Sequence, residues 1–359
     1  MALTRVIRID PDRPDRSLVG EAAEILRTGG LVAFPTETVY GLGAHALNEA
    51  AVAKIFAAKG RPSTDPVIVH LAGANQLEIV ASAVPAVAHE LASAFWPGAL
   101  TLIVNKAASV PALVTAGLST VGVRVPSHPV AHLVIQEAGV PVAAPSANRF
   151  SRPSPTTAQH VLDDLDGRVD AIVDAGPATI GVESTIVDLT VSPPIVRRPG
   201  GISLQAIRKV VPRIVSVTAL ESGDRAQYAP GQLSRHYAPR ARLTLYVGSV
   251  DAVTDRVARD VRNAVAAGTR VGVLAPQEDL SALAPRLAAI GPTGRVVTMR
   301  CGSRADRAGA ARELFAALRA LDAAQVDVIV AAAPGGGDLD DAIIDRLSRA
   351  AEGRVHWAD

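Results

Sequence analysis

The sequence predicts an α/β protein of two domains, and three observations carry that prediction. Short β-branched runs such as LVAF, PVIVHL and VDVIVAA alternate with stretches of helical periodicity. The alternation lapses between residues 212 and 240, where YAPGQLSRHYAPR offers no core-forming run, and then resumes. At 359 residues, with 48% hydrophobic and 20% charged, the chain is long and apolar enough to build two cores. The expected layout is a domain over residues 1–211, a linker over 212–240 and a smaller domain over 241–359.

The elements follow in order. TRVIRI reads as a first strand and Ser17 as the N-cap of a helix that Gly29 and Gly30 end; LVAF follows as a strand. Asn48 caps a helix reaching Ala58, and PVIVHL is the next strand. ALTLIVNK and VGVRVP are further strands. PVAAPSANRFSRPSPTT is a strand running into a Ser-, Pro- and Asn-rich loop. GVESTIVDL and IVRRPG are two more strands, and a helix from Ser203 to Val210 closes the domain. Beyond the linker, RLTLYVG, RVGVLAP, GRVVTM and VDVIVAA alternate with helices, the last ending near Ala351, which predicts a parallel sheet covered on both faces.

Composition excludes several classes. The net charge of +1 provides no global basic field for nucleic acid, so any RNA contact needs a local patch. The N-terminus has no apolar core of a signal peptide and no run approaches the ~18 apolar residues of a membrane span, so a cytoplasmic protein with no membrane partner is expected. A single cysteine, Cys301, forbids an internal disulfide and a thiolate metal cluster.

Chemistry concentrates in residues 34–70. Lys59 and Arg61 straddle Gly60 where a helix should end, and Pro62 blocks its continuation. Two cations at such a corner suit a polyphosphate. The helix dipole alone also favours cations there. Lys59 is one of only four lysines, with Lys54, Lys106 and Lys209, among 36 basic residues, so a compact ammonium is singled out at that point. Ser146, Asn148 and Ser154 offer hydroxyl and amide groups after a strand's C-terminal end, where open α/β sheets bind ligands; they are also ordinary turn residues. His128 and His132, four apart, lack an acidic third ligand and read as one face of a surface helix. GLGAH is too short for a dinucleotide fingerprint, and no Walker A sequence, G-x-S-x-G elbow or paired cysteine nucleophile is present. AAPGGGD, Gly-rich before the last helix, could cradle an anion, but a left-handed turn is the simpler reading.

FPTETVYGLG, KGRPSTDPVIVH, RVP, APSAN, ESTIVD and RRPG, in this order and at these spacings, resemble the threonylcarbamoyl-AMP synthase family, with its YrdC-type domain. SRHYAP, which includes Arg235, and the later α/β unit resemble the longer branch that adds a C-terminal companion domain. There the match is looser, because Asp338, Asp340 and Asp341 make the closing helix more acidic than the family pattern. The resemblance implies a YrdC-like twisted mixed sheet with a concave ligand pocket, linked to a smaller Rossmann-like parallel α/β domain. It implies a nucleotidyltransferase that joins L-threonine, bicarbonate and ATP, with Mg²⁺ accompanying ATP, into threonylcarbamoyl-AMP and pyrophosphate. A downstream tRNA threonylcarbamoyl-transfer machinery would use the product, and direct tRNA contact is left open.

Carried over residue by residue, the resemblance assigns Thr38, His70, Thr120, Arg124, Ala144 and Ser184 to threonine, with Arg124 on its carboxylate. Lys59, Arg61, Asp65, Ser146, Asn148, Ser154, Arg198 and Tyr237 fall to ATP, and Lys59 and Arg61 are the catalytic pair. Asp65 departs from the asparagine common in the family. Tyr237, between Pro230 and Pro239, suggests that the linker is a lid as well as a tether. Two other functions fit such a domain: a double-stranded RNA or tRNA-binding module, which the charge disfavours, and a carbamoyl-transfer enzyme of hydrogenase maturation, whose zinc fingers one cysteine cannot supply.

Overall fold

The structure is a computed structural model and describes residues 3–216, 229–231, 236–290, 294–336 and 339–358; most of the expected linker, with Arg235, and Asp338 lie outside them. The chain divides into two compact units, residues 1–150 with 154–233, and residues 151–153 with 234–359. The division therefore falls inside the segment expected as linker, and a three-residue piece of the Ser/Pro loop belongs with the second unit.

The first unit is built on a mixed sheet of twelve strands among the described residues. Its order runs Arg5–Arg8, Ala171–Asp174, Val32–Pro35, Tyr40–His45, Val142–Ala143, Val69–His70, Thr120–Arg124, Leu100–Lys106, Thr185–Asp188, Ile195–Arg198 and Val215–Ser216, with Ala81–Ala83 beside Leu100–Lys106. Valine and isoleucine fill the central strands, and one cluster around Leu42, Ile55, Val69, Val123 and Ile172 forms the main core. Tyr40–His45 was not expected as a strand, because GLGAH carries two glycines. The packing explains one of them: a Cβ at Gly43 would come within 2.6 Å of the Phe34 ring. The register then fixes the site, since Val69–His70 lies parallel to Thr120–Arg124 with His70 opposite Arg124.

Helix boundaries follow capping chemistry. Asn48 caps Glu49–Lys59 by accepting from Ala51 N, and Gly60 closes it in the left-handed conformation at φ 65°, with its N–H on Phe56 O. The first helix, Arg16–Arg27, is capped by Asp15 rather than Ser17, because the Asp15 carboxylate accepts the Ser17 and Leu18 amides. His128 is the N-cap of Pro129–Ala138 and so precedes the helix that carries His132.

The second unit is a five-stranded parallel sheet in the order Val296–Arg300, Val271–Ala275, Val328–Ala333, Arg242–Gly248 and Val355–Ala358. Helices Val250–Ala266, Gln277–Ala288, Arg307–Ala323 and Leu339–Ala350 connect the strands. The last strand escaped the sequence reading because it is short and exposes His356 and Trp357. No helix among the described residues is long and apolar enough to cross a membrane.

Candidate active site

Arg124 ends its strand 3% exposed, and every contact it makes is directed. Its Nε donates to Gly98 O at 3.0 Å, Nη1 donates to Thr38 Oγ1 at 2.9 Å, and Nη2 is ion-paired with Glu37. The hydroxyl chain fixes proton directions. Thr36 spends its proton on Val39 O at 2.6 Å, so Thr38 donates to Thr36 Oγ1 at 2.7 Å and accepts from Arg124. Glu37 accepts the Ser127 amide at 3.1 Å with its other oxygen. Burial pushes the Glu37 carboxyl up, but the Arg124 charge and its hydrogen bonds outweigh this and leave it below the ordinary value. Sequence reasoning missed Glu37, whose only signal is its place between Thr36 and Thr38 in the FPTETVYGLG motif.

His70, opposite Arg124, is 3% exposed and its Nδ1 has no hydrogen-bond partner among the described residues. Burial, with the neighbouring Arg124 charge, lowers its pKa to about 3, so the imidazole is neutral at physiological pH. Ala144 continues the same floor, its N–H on Ile68 O at 2.9 Å. Ser184 Oγ lies 2.7 Å from Thr101 Oγ1, on the strand beside Arg124's. Thr120 starts the strand that Arg124 ends, about 13 Å away at the rise of a strand. There it lines a hollow with Ile68, Thr101, Ile103, Thr115 and Pro230.

The residues expected on the ATP side form a second cluster. Lys59 Nζ donates to Asn148 O at 2.6 Å and to Ser146 O, so the ammonium shapes the loop that presents Ser146 and Asn148. Arg61 similarly donates to Asp65 O at 3.0 Å and Pro66 O at 2.7 Å, and pairs with the buried Asp65 carboxylate at 3.0 Å. Burial drives the Asp65 carboxyl up, and Arg61, Lys59 and Arg198 oppose this only in part. Ser154 donates to Glu183, another buried carboxylate the motif reading passed over. Arg198 joins the clusters, donating to Ser184 O at 2.9 Å and to Pro230 O at 3.0 Å. Ala229 packs with Ile68, Ile103 and Ile186, so residues 229–231 lie on the first unit.

Tyr237 stands apart, in the second unit and 1% exposed. Its ring packs 5.4 Å from that of Phe315 and 5.3 Å below the Arg346 guanidinium, in the left-handed backbone conformation at φ 58°.

Residues 24–200 match the Sua5/YciO/YrdC family model, described as telomere recombination. Residues 202–352 match the model described as threonylcarbamoyl-AMP synthase, C-terminal domain. The threonylcarbamoyl-AMP synthase of Bacillus subtilis is 44% identical over 338 residues, 94% of either chain. The putative threonylcarbamoyl-AMP synthase of Mycobacterium tuberculosis is 41% identical over 202 residues, 56% of this chain and 92% of its own. The crystal structure of Pyrococcus abyssi Sua5 complexed with L-threonine is similar at TM-score 0.90 and 40% identity, covering 99% of this chain and 100% of that one. Matched along nearly its whole length and in both domains, this chain belongs to the threonylcarbamoyl-AMP synthase family.

Proposed function

We propose that this chain is an L-threonylcarbamoyladenylate synthase, making threonylcarbamoyl-AMP and pyrophosphate from L-threonine, bicarbonate and ATP. The product serves threonylcarbamoyladenosine modification of tRNA through a downstream transfer machinery. The observation that carries the reading is the buried Arg124, presented by Glu37, Thr38 and Gly98 beside a neutral His70, in a chain similar over its full length to a Sua5 solved with L-threonine.

Arg124 takes the threonine carboxylate with the N–H groups that Glu37, Thr38 and Gly98 leave over. The amine and bicarbonate condense to a carbamate with loss of water. A carbamate oxygen then bonds to the α-phosphorus of ATP, the bond to the bridging oxygen breaks, and pyrophosphate leaves. No side chain need become covalently attached, so positioning and charge neutralisation carry the rate. Arg198 meets the phosphates, while Lys59 and Arg61 act through the loops they shape. Mg²⁺ enters bound to ATP rather than to a resident site. Asp65 is ion-paired among three cations, and no three His, Cys, Asp or Glu side chains converge among the described residues.

The reaction requires all three substrates, because the carbamate precedes adenylation. Pyrophosphate release from ATP is expected only when threonine and bicarbonate are both present. Release that continues unchanged without threonine would make the protein a plain ATPase.

A further inference from the structure

Residues 151–153 interrupt the loop between Asn148 and Ser154, and the second unit grips them. Arg152 pairs with Asp322 Oδ2 at 2.9 Å, Arg319 Nη2 donates to Pro153 O at 2.5 Å, and Ala238 N donates to Ser151 O at 2.7 Å. Asp322 does double duty, because its Oδ1 accepts the Arg240 N–H at 2.8 Å. One carboxylate, with its side chain 6% exposed, therefore ties the Ser151–Pro153 tip to the segment that carries Tyr237. The backbone at the junction is in an uncommon state. Ser151 at φ 64° and Tyr237 at φ 58° are both left-handed without being glycine, and they flank the Ser151–Ala238 hydrogen bond. Such conformations persist where surrounding contacts over-determine them.

We propose that Asp322 is a positioning residue for the nucleotide: through Arg152 it fixes the Ser151–Pro153 tip of the chain that leads directly into Ser154. The inference rests on the reading of Asn148 and Ser154 as ATP-side residues. The loop from Asn148 to Ser154 is too polar to hold itself by burial, so its tip borrows a rigid reference from helix Arg307–Ala323, where Asp322 and Arg319 sit. The threonine side, built on Arg124, Glu37, Thr38 and His70, has no member in the segments Asp322 holds. Loss of Asp322 must therefore separate the two substrates.

The test is steady-state kinetics on the full chain with each substrate varied. Asp322→Ala is expected to raise KM for ATP about tenfold or more, as misplacement of reacting groups does, with KM for threonine unchanged. Arg152→Ala, a change at a partly exposed side chain that leaves the Arg240 contact in place, is expected to give a smaller rise in the same constant. Asp322→Asn keeps an acceptor for the Arg240 amide and should recover part of the loss. A purely structural role would lower thermal stability without this split. Asn148→Ala serves as the control for the underlying reading. If it leaves KM for ATP untouched, the ATP-side assignment fails. If it raises KM for ATP while folded Arg152→Ala and Asp322→Asn match the parent, the positioning role is wrong.

Discussion

Arg124→Ala should raise KM for threonine by about 10- to 150-fold, the range of a lost charge-assisted hydrogen bond of roughly 1.5–3 kcal/mol, and leave KM for ATP near the parent value. The same change should also destabilise the fold. Glu37 would remain buried without its counter-charge, and breaking one side of a buried pair costs about 3–5 kcal/mol. The pH dependence distinguishes this cause from general damage. In the parent, the folded Glu37 carboxyl titrates below its ordinary value of 4.5, so the pair's stabilisation is present above that value and is lost as pH falls through the folded pKa. Without Arg124, burial is the dominant influence left and raises the carboxyl. The sign reverses, and the variant loses stability as pH rises through the raised value. The gap in Tm between parent and variant should therefore widen from pH 4 to pH 7. Adding Glu37→Gln to Arg124→Ala should restore much of the stability and none of the threonine affinity. A gap that does not change with pH, or threonine affinity that returns in the double variant, would show that Arg124 acts elsewhere. Arg61→Ala supplies the contrast, weakening ATP by a similar factor through the Asp65–Pro66 turn it supports.

A chain ending at residue 233 should fold yet accumulate much less threonylcarbamoyl-AMP per pyrophosphate released. The structure moves the cut from the residue 211 suggested by sequence. Ile214 belongs to a core cluster of the first unit, Val215–Ser216 pairs with Ile195–Val196, and Pro230 receives Arg198. The shortened chain lacks the Tyr237 segment and all that anchors it. If that segment is the lid its sequence suggests, its loss exposes acyl phosphates and carbamates to water, and yield falls while pyrophosphate release continues. Restoring residues 234–240 alone should recover little, because Phe315 and Arg346, which hold the Tyr237 ring, remain absent. Tyr237→Phe is the informative point change. Tyr237→Ala would open a cavity worth about 3–5 kcal/mol, whereas the phenylalanine keeps the ring and removes the hydroxyl. Equal ratios of intermediate to pyrophosphate in the parent, the shortened chain and Tyr237→Phe would reduce the segment to a tether.

The sequence by itself determined the alternation of strands and helices, the two cores, the Asn48 and Gly60 caps and the family. These rest on local patterns: β-branched runs, helical periodicity, capping residues and contiguous motifs, each readable within a few residues of chain. It also named most of the candidate site residues, because residues within one motif stay together. Glu37 was out of reach, since its meaning lies in an Arg124 that is 87 residues away and adjacent only through the sheet. Thr120 and Arg124 were both assigned to threonine by the resemblance, and the strand they share spaces them four residues apart. The motif assigns Lys59 and Arg61 to ATP; what the packed chain adds is that they also donate to carbonyls of the loops around them, because a buried cation must find acceptors. The membership of residues 151–153 in the second unit likewise leaves no trace in local pattern. It depends on Arg152 meeting Asp322 across 170 residues, a coincidence that only the packed chain creates.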